Sequence, residues 1–281
     1  MEDAGFKKVM FCGSQTLQKI AEQLQFLTPP RVNTMEVEHF GDNIGSKLEI
    51  MESVAVENDE FCLVNRRRKR AAVLICLFEG NEGELRVILT KRSMKLSSHP
   101  GDVALPGGKM EEGDADDSAT ALREAMEEIG LDPHLVQVVA NLEPFISQHQ
   151  LKVVPVVGLL ARVEDFKPVL NTDEVDTLFD VPLEMFLKGC CSSVEEGVTN
   201  VEVSVAVEEN HRWEEKEWMG WNYSLHIFDF KSEKGVFLIW GLTASILVEA
   251  ASVIYQRSPC FEHRLLDFQQ LQKALNNNSI A

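Results

Sequence analysis

The chain has 281 residues, 44% hydrophobic and 26% charged, enough apolar material to bury a core and to exclude wholesale disorder. Its formal net charge of -18 excludes a general affinity for nucleic acid or anionic membranes, both of which select basic surfaces. No stretch has the roughly 18 apolar residues of a membrane span, and an anionic small substrate remains compatible with the charge, because a metal or a local basic patch overrides the global field.

In SQTLQKIAEQLQFL, residues 14–27, Leu17, Ile20, Ala21 and Leu24 share one face; this predicts an amphipathic helix capped by Ser14 and stopped before Pro29-Pro30. Residues 31–64 are acidic and weakly periodic, with one helix expected around 47–58, so residues 1–65 read as an N-terminal extension. The compact domain is expected over residues 66–256. RAAVLICLFEG predicts a buried strand ending at a turn, with Cys76 as packing, and NEGELRVILTKRS a hairpin turn and a second strand. LSSHPGDVALPGGKMEEGDADD follows as a long loop with short extended pieces. A helix is expected from Ser118 to Ile129, capped by Asp116 or Asp117 and stopped by Gly130.

Further strands are expected at 136–142, 152–163 and 201–208, with a helical turn in VPLEMFLKG. YSLHIFDFKSEKGVFLIW reads as a β-hairpin and GLTASILVEAASVIYQR as a strongly apolar helix. Residues 257–281 form a tail with a weaker helix over 262–278. Interleaved strands and helices with hairpins predict an α/β (α+β) fold, a mixed β-sheet sandwiched between helices, and not a purely parallel doubly wound sheet.

Six cysteines without a CxxC pair or a regular framework point to free thiols in a reducing, intracellular compartment. The start, MEDAGFKKVMF, has neither an Arg-rich amphipathic leader nor a signal-peptide core. The cytoplasm is therefore the expected location, with import into a mitochondrion or other organelle left open.

The chemistry concentrates in ALREAMEEIGL, where Glu124, Glu127 and Glu128 lie on one side of a helix and Leu122, Met126 and Ile129 serve its packing side. Like charges at this spacing repel unless something pairs them. Three carboxylates within a turn supply the oxygen ligands a hard divalent cation takes, a solvated acidic face being the alternative. Pro106-Gly107-Gly108 is a stiff-then-permissive loop that brings backbone groups close to a ligand, and a carbonyl there adds a fourth oxygen.

GGKMEEGDADDSATALREAMEEIGL resembles the Nudix box, Gly-x5-Glu-x7-Arg-Glu-U-x-Glu-Glu-x-Gly-U with U a bulky apolar residue. Gly108, Arg123-Glu124, Glu127-Glu128 and Gly130-Leu131 match. Asp114 stands where the first glutamate is expected, eight residues instead of seven separate it from Arg123, and Ala125 fills the bulky slot. LTKRSMKLSSHPGDVALPGG is similar to the segment preceding the box in the coenzyme A pyrophosphatase branch, matching at Thr90, Arg92, Ser93, Gly101 and Pro106-Gly107-Gly108. Ser97 stands in place of that branch's arginine and Leu105 in place of its phenylalanine; IWGLTASIL also resembles the branch's closing strand-to-helix segment.

The resemblance implies the Nudix fold and hydrolysis of the coenzyme A diphosphate with Mg2+ or Mn2+, giving 3',5'-ADP and 4'-phosphopantetheine, with acyl-coenzyme A as a related substrate. It implies Glu124, Glu127 and Glu128 as metal ligands, the Gly108 carbonyl as backbone ligand, and Arg123 as the residue positioning a box carboxylate such as Glu127. Arg92, His99, Arg70 and Gly107 are the substrate-contact candidates; for Arg92 a structural salt bridge, for His99 a loop brace, and for the Arg66–Arg70 run a solvated face are the alternatives. Glu174, in NTDEVDTLF, is a candidate base or distal ligand beside its reading as a solvated loop acid. His211, Trp213, Trp218 and Trp221 wall a pocket, pack a core or line a homodimer seam. Two other functions stay open: hydrolysis of ADP-ribose, NADH or an oxidised nucleotide, and a silent nucleotide-binding module.

Overall fold

The computed structural model describes residues 13–24, 70–147, 151–189, 210–218 and 220–264, the side chain of Trp218 excepted. The helix expected around 47–58, the strand at 201–208 and nearly all of the tail helix at 262–278 lie outside the described residues. The first helix, α1 (Gln15–Leu24), buries Leu17, Ile20 and Leu24, and the Ser14 hydroxyl accepts the Leu17 N–H at 3.3 Å as its cap.

Eight strands make one mixed sheet: β1 (Arg70–Glu79), β2 (Leu85–Arg92), β3 (Val103–Ala104), β4 (Gly107–Lys109), β5 (Val136–Asn141), β6 (Phe145–Ile146), β7 (Lys152–Leu160) and β8 (Val175–Pro182). The path runs β3-β2-β1-β7-β5, with β4 paired to β1, β6 to β7 and β8 to β2. Only β1 and β7 run parallel, in register from Arg70↔Lys152 to Leu77↔Leu159. The near-continuous apolar run of β1 follows from burial on both faces. Ala72, Leu74, Cys76 and Phe78 face one core with Ala121, Ala125 and Ile129 of α2 (Asp117–Ile129), while Ala71, Ile75 and Leu77 face another with Leu17, Leu24 and α3 (Gly241–Tyr255). Burial lifts the Cys76 thiol to about 12, leaving it an inert packing group.

A second, antiparallel sheet comprises β9 (His211–Trp218), β10 (Trp221–Ser232) and β11 (Gly235–Trp240) in the order β11-β10-β9. Phe237 stacks on Phe179 of β8 at 3.7 Å between centroids, and Lys234 donates to the Leu178 carbonyl at 2.7 Å, so this sheet docks against the β8 edge.

Three strands, β6, β8 and β9, have no counterpart among the expected elements, β6 being a two-residue piece too short to show a period. In β8 the buried series Val175, Phe179, Val181 is broken by Thr177, and the other face carries Asp176 and Asp180, paired by Lys91 and Arg86 of β2. In β9 most of the side chains are charged and exposed, which hides a strand from a hydrophobicity pattern. The strand expected over 152–163 stops at Leu160, where Val163–Asp165 form a 3-10 turn.

Candidate active site

The box helix α2 begins at Asp116, whose carboxylate accepts the Ala119 N–H at 2.8 Å, and ends at Gly130 in the left-handed region (φ 70°). Asp116 is thus the cap. Asp117 is buried instead and takes a two-pronged salt bridge from Arg70, tying the helix start to β1. Arg70 therefore has its guanidinium committed to a structural pair beside Lys152, its register partner on β7.

Arg123 organises the acidic face. Its Nε and Nη2 each bond an Asp114 oxygen at 3.0 Å, Nη2 also bonds the Lys109 carbonyl at 3.0 Å, and Nη1 bonds Glu127 at 2.9 Å. Glu124 lies 3.1 Å from Nη2. Asp114 is buried and also accepts from the Thr120 hydroxyl and the Glu111 N–H, both at 2.9 Å. The Arg123 guanidinium, with those donors, holds the Asp114 carboxyl down at about 2. The longer loop ahead of the helix thus still delivers a carboxylate to Arg123, and the shorter aspartate side chain reaches it.

The remaining carboxylates crowd the β4 backbone. Glu128 is 4% exposed, and burial raises its carboxyl to about 8 against the opposing pull of Arg92, with Glu124 and Glu174 adding like charge. Its side chain accepts the Gly107 N–H at 3.4 Å. Glu124 is raised as well, first by burial, with Glu127 and Glu174 contributing repulsion. Gly107 adopts φ 153°, where a Cβ would stand 2.4 Å from the Ala72 carbonyl oxygen; at Gly108 a Cβ would stand 2.4 Å from the Glu124 carboxylate. Gly107 thus lets β4 lie close against β1, and Gly108 leaves room for the Glu124 carboxylate of α2.

Arg92, at the end of β2, has its Nε buried without a hydrogen-bond partner among the described residues, within the field of Glu128. His99 is exposed, has φ 54° and bonds Asp102 at 3.1 Å, closing the loop after Ser93. Glu174, fifty positions from Glu124 in sequence, is brought beside the box carboxylates by the turn before β8, where its carbonyl accepts the Ser93 N–H at 2.8 Å. His211 lies elsewhere, stacked on Phe228, tilted against Phe261 and bonded to His226 at 3.0 Å. Sequence spacing brings out Arg123 and the glutamates; it does not show the Asp114–Thr120 contact, which depends on folding the loop back over α2, or the Arg70–Asp117 pair, which depends on packing α2 against β1.

Among the described residues, no three His, Cys, Asp or Glu side chains are gathered into a metal-holding group as they stand. The donor set nevertheless fits a hard divalent cation: it is all oxygen, with Glu124 and Glu128 brought against the Gly107-Gly108 backbone. The side chains of Glu124 and Glu127 are swung onto Arg123 in this conformation.

A NUDIX domain matches residues 68–220, more than half of the chain. The chain belongs to the Nudix family. It is 56% identical over 193 residues to Nudix hydrolase 15, mitochondrial, of Arabidopsis thaliana, covering 69% of this chain and 61% of that protein. It is 47% identical over 251 residues to the same plant's Nudix hydrolase 22, chloroplastic, covering 89% and 76% respectively. A peroxisomal coenzyme A diphosphatase of Mus musculus is 38% identical over 182 residues, covering 64% of this chain and 68% of that protein. The chain therefore spans about three fifths of the first of these relatives and larger shares of the other two.

Proposed function

We propose that this Nudix hydrolase splits the diphosphate of coenzyme A, and of its acyl esters, into 3',5'-ADP and 4'-phosphopantetheine or acyl-phosphopantetheine. The reaction adds one water across the P–O–P bridge: water oxygen joins one phosphorus, the bridging P–O bond breaks, and two phosphate monoesters leave. The observation carrying the reading is the junction of the Thr90–Gly108 segment, which resembles that of the coenzyme A branch, with the box helix at Arg92, Gly107 and Glu128. The mouse relative's name supports the same substrate class.

Glu124, Glu127, Glu128 and the Gly108 carbonyl would hold Mg2+ or Mn2+, with Glu174 as distal ligand or as the base that takes the proton from water. Such a cation neutralises phosphate charge and makes water a nucleophile at neutral pH. Arg123 keeps Glu127 and Asp114 in place. Arg92, whose buried Nε has no hydrogen-bond partner among the described residues, would turn its guanidinium to a phosphate oxygen. His99 and the Gly107 backbone border the same loop. Arg70 contributes charge near the N-terminus of α2 while remaining bound to Asp117. The plant relatives named for mitochondrion and chloroplast favour an organelle over the cytosol expected from the sequence start.

The substrate assignment is tested by comparing coenzyme A with its dephospho form, which lacks the 3'-phosphate. A preference of about tenfold or more in kcat/KM for coenzyme A supports the assignment. Equal use of both, or faster cleavage of ADP-ribose or NADH, places the enzyme elsewhere in the family.

A further inference from the structure

Glu174 reaches the box carboxylates through a turn bonded to both ends of the site. The last carbonyls of a helix have no partner within it. At α2 two of them are taken by the incoming chain: the Asn171 N–H donates to the Glu128 carbonyl and the Val169 N–H to the Ile129 carbonyl, each at 2.9 Å. The Asn171 carbonyl then accepts the Glu174 and Val175 N–H groups at 2.9 and 2.8 Å, and its Oδ1 accepts the Asp173 N–H at 3.2 Å. This is a tight turn reinforced by its own asparagine side chain. On the far side, the Glu174 carbonyl takes the Ser93 N–H at 2.8 Å, one residue beyond Arg92, and Asp173 pairs with Lys95 at 2.8 Å. One turn thus links the end of the glutamate helix, the Arg92 loop and the Glu174 carboxylate.

We propose that Asn171 is a positioning residue for the reaction: its turn sets the Glu174 carboxylate against Glu124 and Glu128 and holds it in register with Arg92. The inference rests on the metal-dependent reading above and deepens it. Asn171 touches no substrate in this scheme; it acts through Glu174. Its side chain supplies one hydrogen bond to the turn, and aspartate would keep that acceptor.

The test is a Mn2+ titration of the full chain followed by electron paramagnetic resonance, beside steady-state turnover of coenzyme A. The proteins are wild type, Asn171→Ala, Asn171→Asp, Glu174→Gln and the Asn171→Ala/Glu174→Gln double variant. Glu174→Gln weakens Mn2+ binding by about threefold or more, and Asn171→Ala weakens it in the same sense and lowers kcat with KM little changed. Asn171→Asp stays within about twofold of wild type, and Asn171→Ala adds less than about twofold to Glu174→Gln. Wild-type Mn2+ binding and kcat in Asn171→Ala, or its full single effect repeated in the Glu174→Gln background, overturns the proposal. Glu174→Gln indistinguishable from wild type in both readouts also overturns it, since there is then no acid to position. The same non-additivity with a diphosphate other than coenzyme A upholds the positioning role and overturns only the substrate assignment.

Discussion

Asp114 shows how a departure from a motif can keep its chemistry. The buried aspartate receives both prongs of Arg123 plus a hydroxyl and an amide, and Arg123 in turn holds Glu127. Because the folded carboxyl sits at about 2, below its usual 3.8, its stabilisation is fully present above about pH 4 and is lost as pH falls toward 2. The shift corresponds to about 2 kcal/mol. Asp114→Asn is expected to lower the unfolding free energy by roughly that amount at pH 7 and to lose the acid limb, as urea titrations at several pH values would reveal. An unchanged urea midpoint would mean that Arg123 is seated by its other contacts. The glutamates themselves were legible in sequence, because i,i+3 and i,i+4 spacing follows directly from helical pitch. Asp114 was not, because the path of a long loop is set by where it packs.

At the scale of elements, periodicity exposed those with a clean apolar face: α1, β1, α2, the β10–β11 hairpin and α3. It failed for β8 and β9, where acidic and basic residues satisfy one another across strands. It also gave no warning of the imidazole chain joining β9, β10 and the segment after α3. His211 Nε2 meets His226 Nδ1 at 3.0 Å, and His226 Nε2 meets His263 Nδ1 at 2.8 Å. Three neutral rings carry three N–H groups, two of which bridge the chain. Burial depresses these histidines to about 4, 3 and 4 for His211, His226 and His263. Their folded values lie below the unfolded 6.5, so the folded state takes up fewer protons in acid, and stability declines as pH falls below about 6.5. The loss approaches about 1.4 kcal/mol per pH unit for each histidine kept neutral. His263→Asn, whose amide replaces Nδ1, should reduce the fall in Tm between about pH 7.5 and 5.5. Equal falls in the two proteins would show that the chain does not govern acid stability.

Across the whole molecule, the helix-covered mixed sheet explains where the acidic machinery can sit. α2 packs on one face of β1 through Ala121, Ala125 and Ile129, while Met126, expected on the packing side, is exposed; Glu124 and Glu128 lie against the β4 backbone, and α1 and α3 cover the opposite face. The net charge of -18 would oppose an anionic substrate, so under the proposed function cations and Arg92 would reverse the field locally. The fold class and the clustering of the glutamates on one helix were legible because each is written in local spacing. The turn that delivers Glu174, and the commitment of Arg70 to Asp117, join segments far apart in the chain and had no local pattern. The most direct test of the central claim is product analysis of coenzyme A incubated with the protein and Mg2+ or Mn2+, with Glu127→Gln as control. The account predicts equimolar 3',5'-ADP and 4'-phosphopantetheine from the wild type, falling by about a hundredfold in the variant. Intact coenzyme A alongside cleavage of ADP-ribose, NADH or an oxidised nucleotide would contradict it.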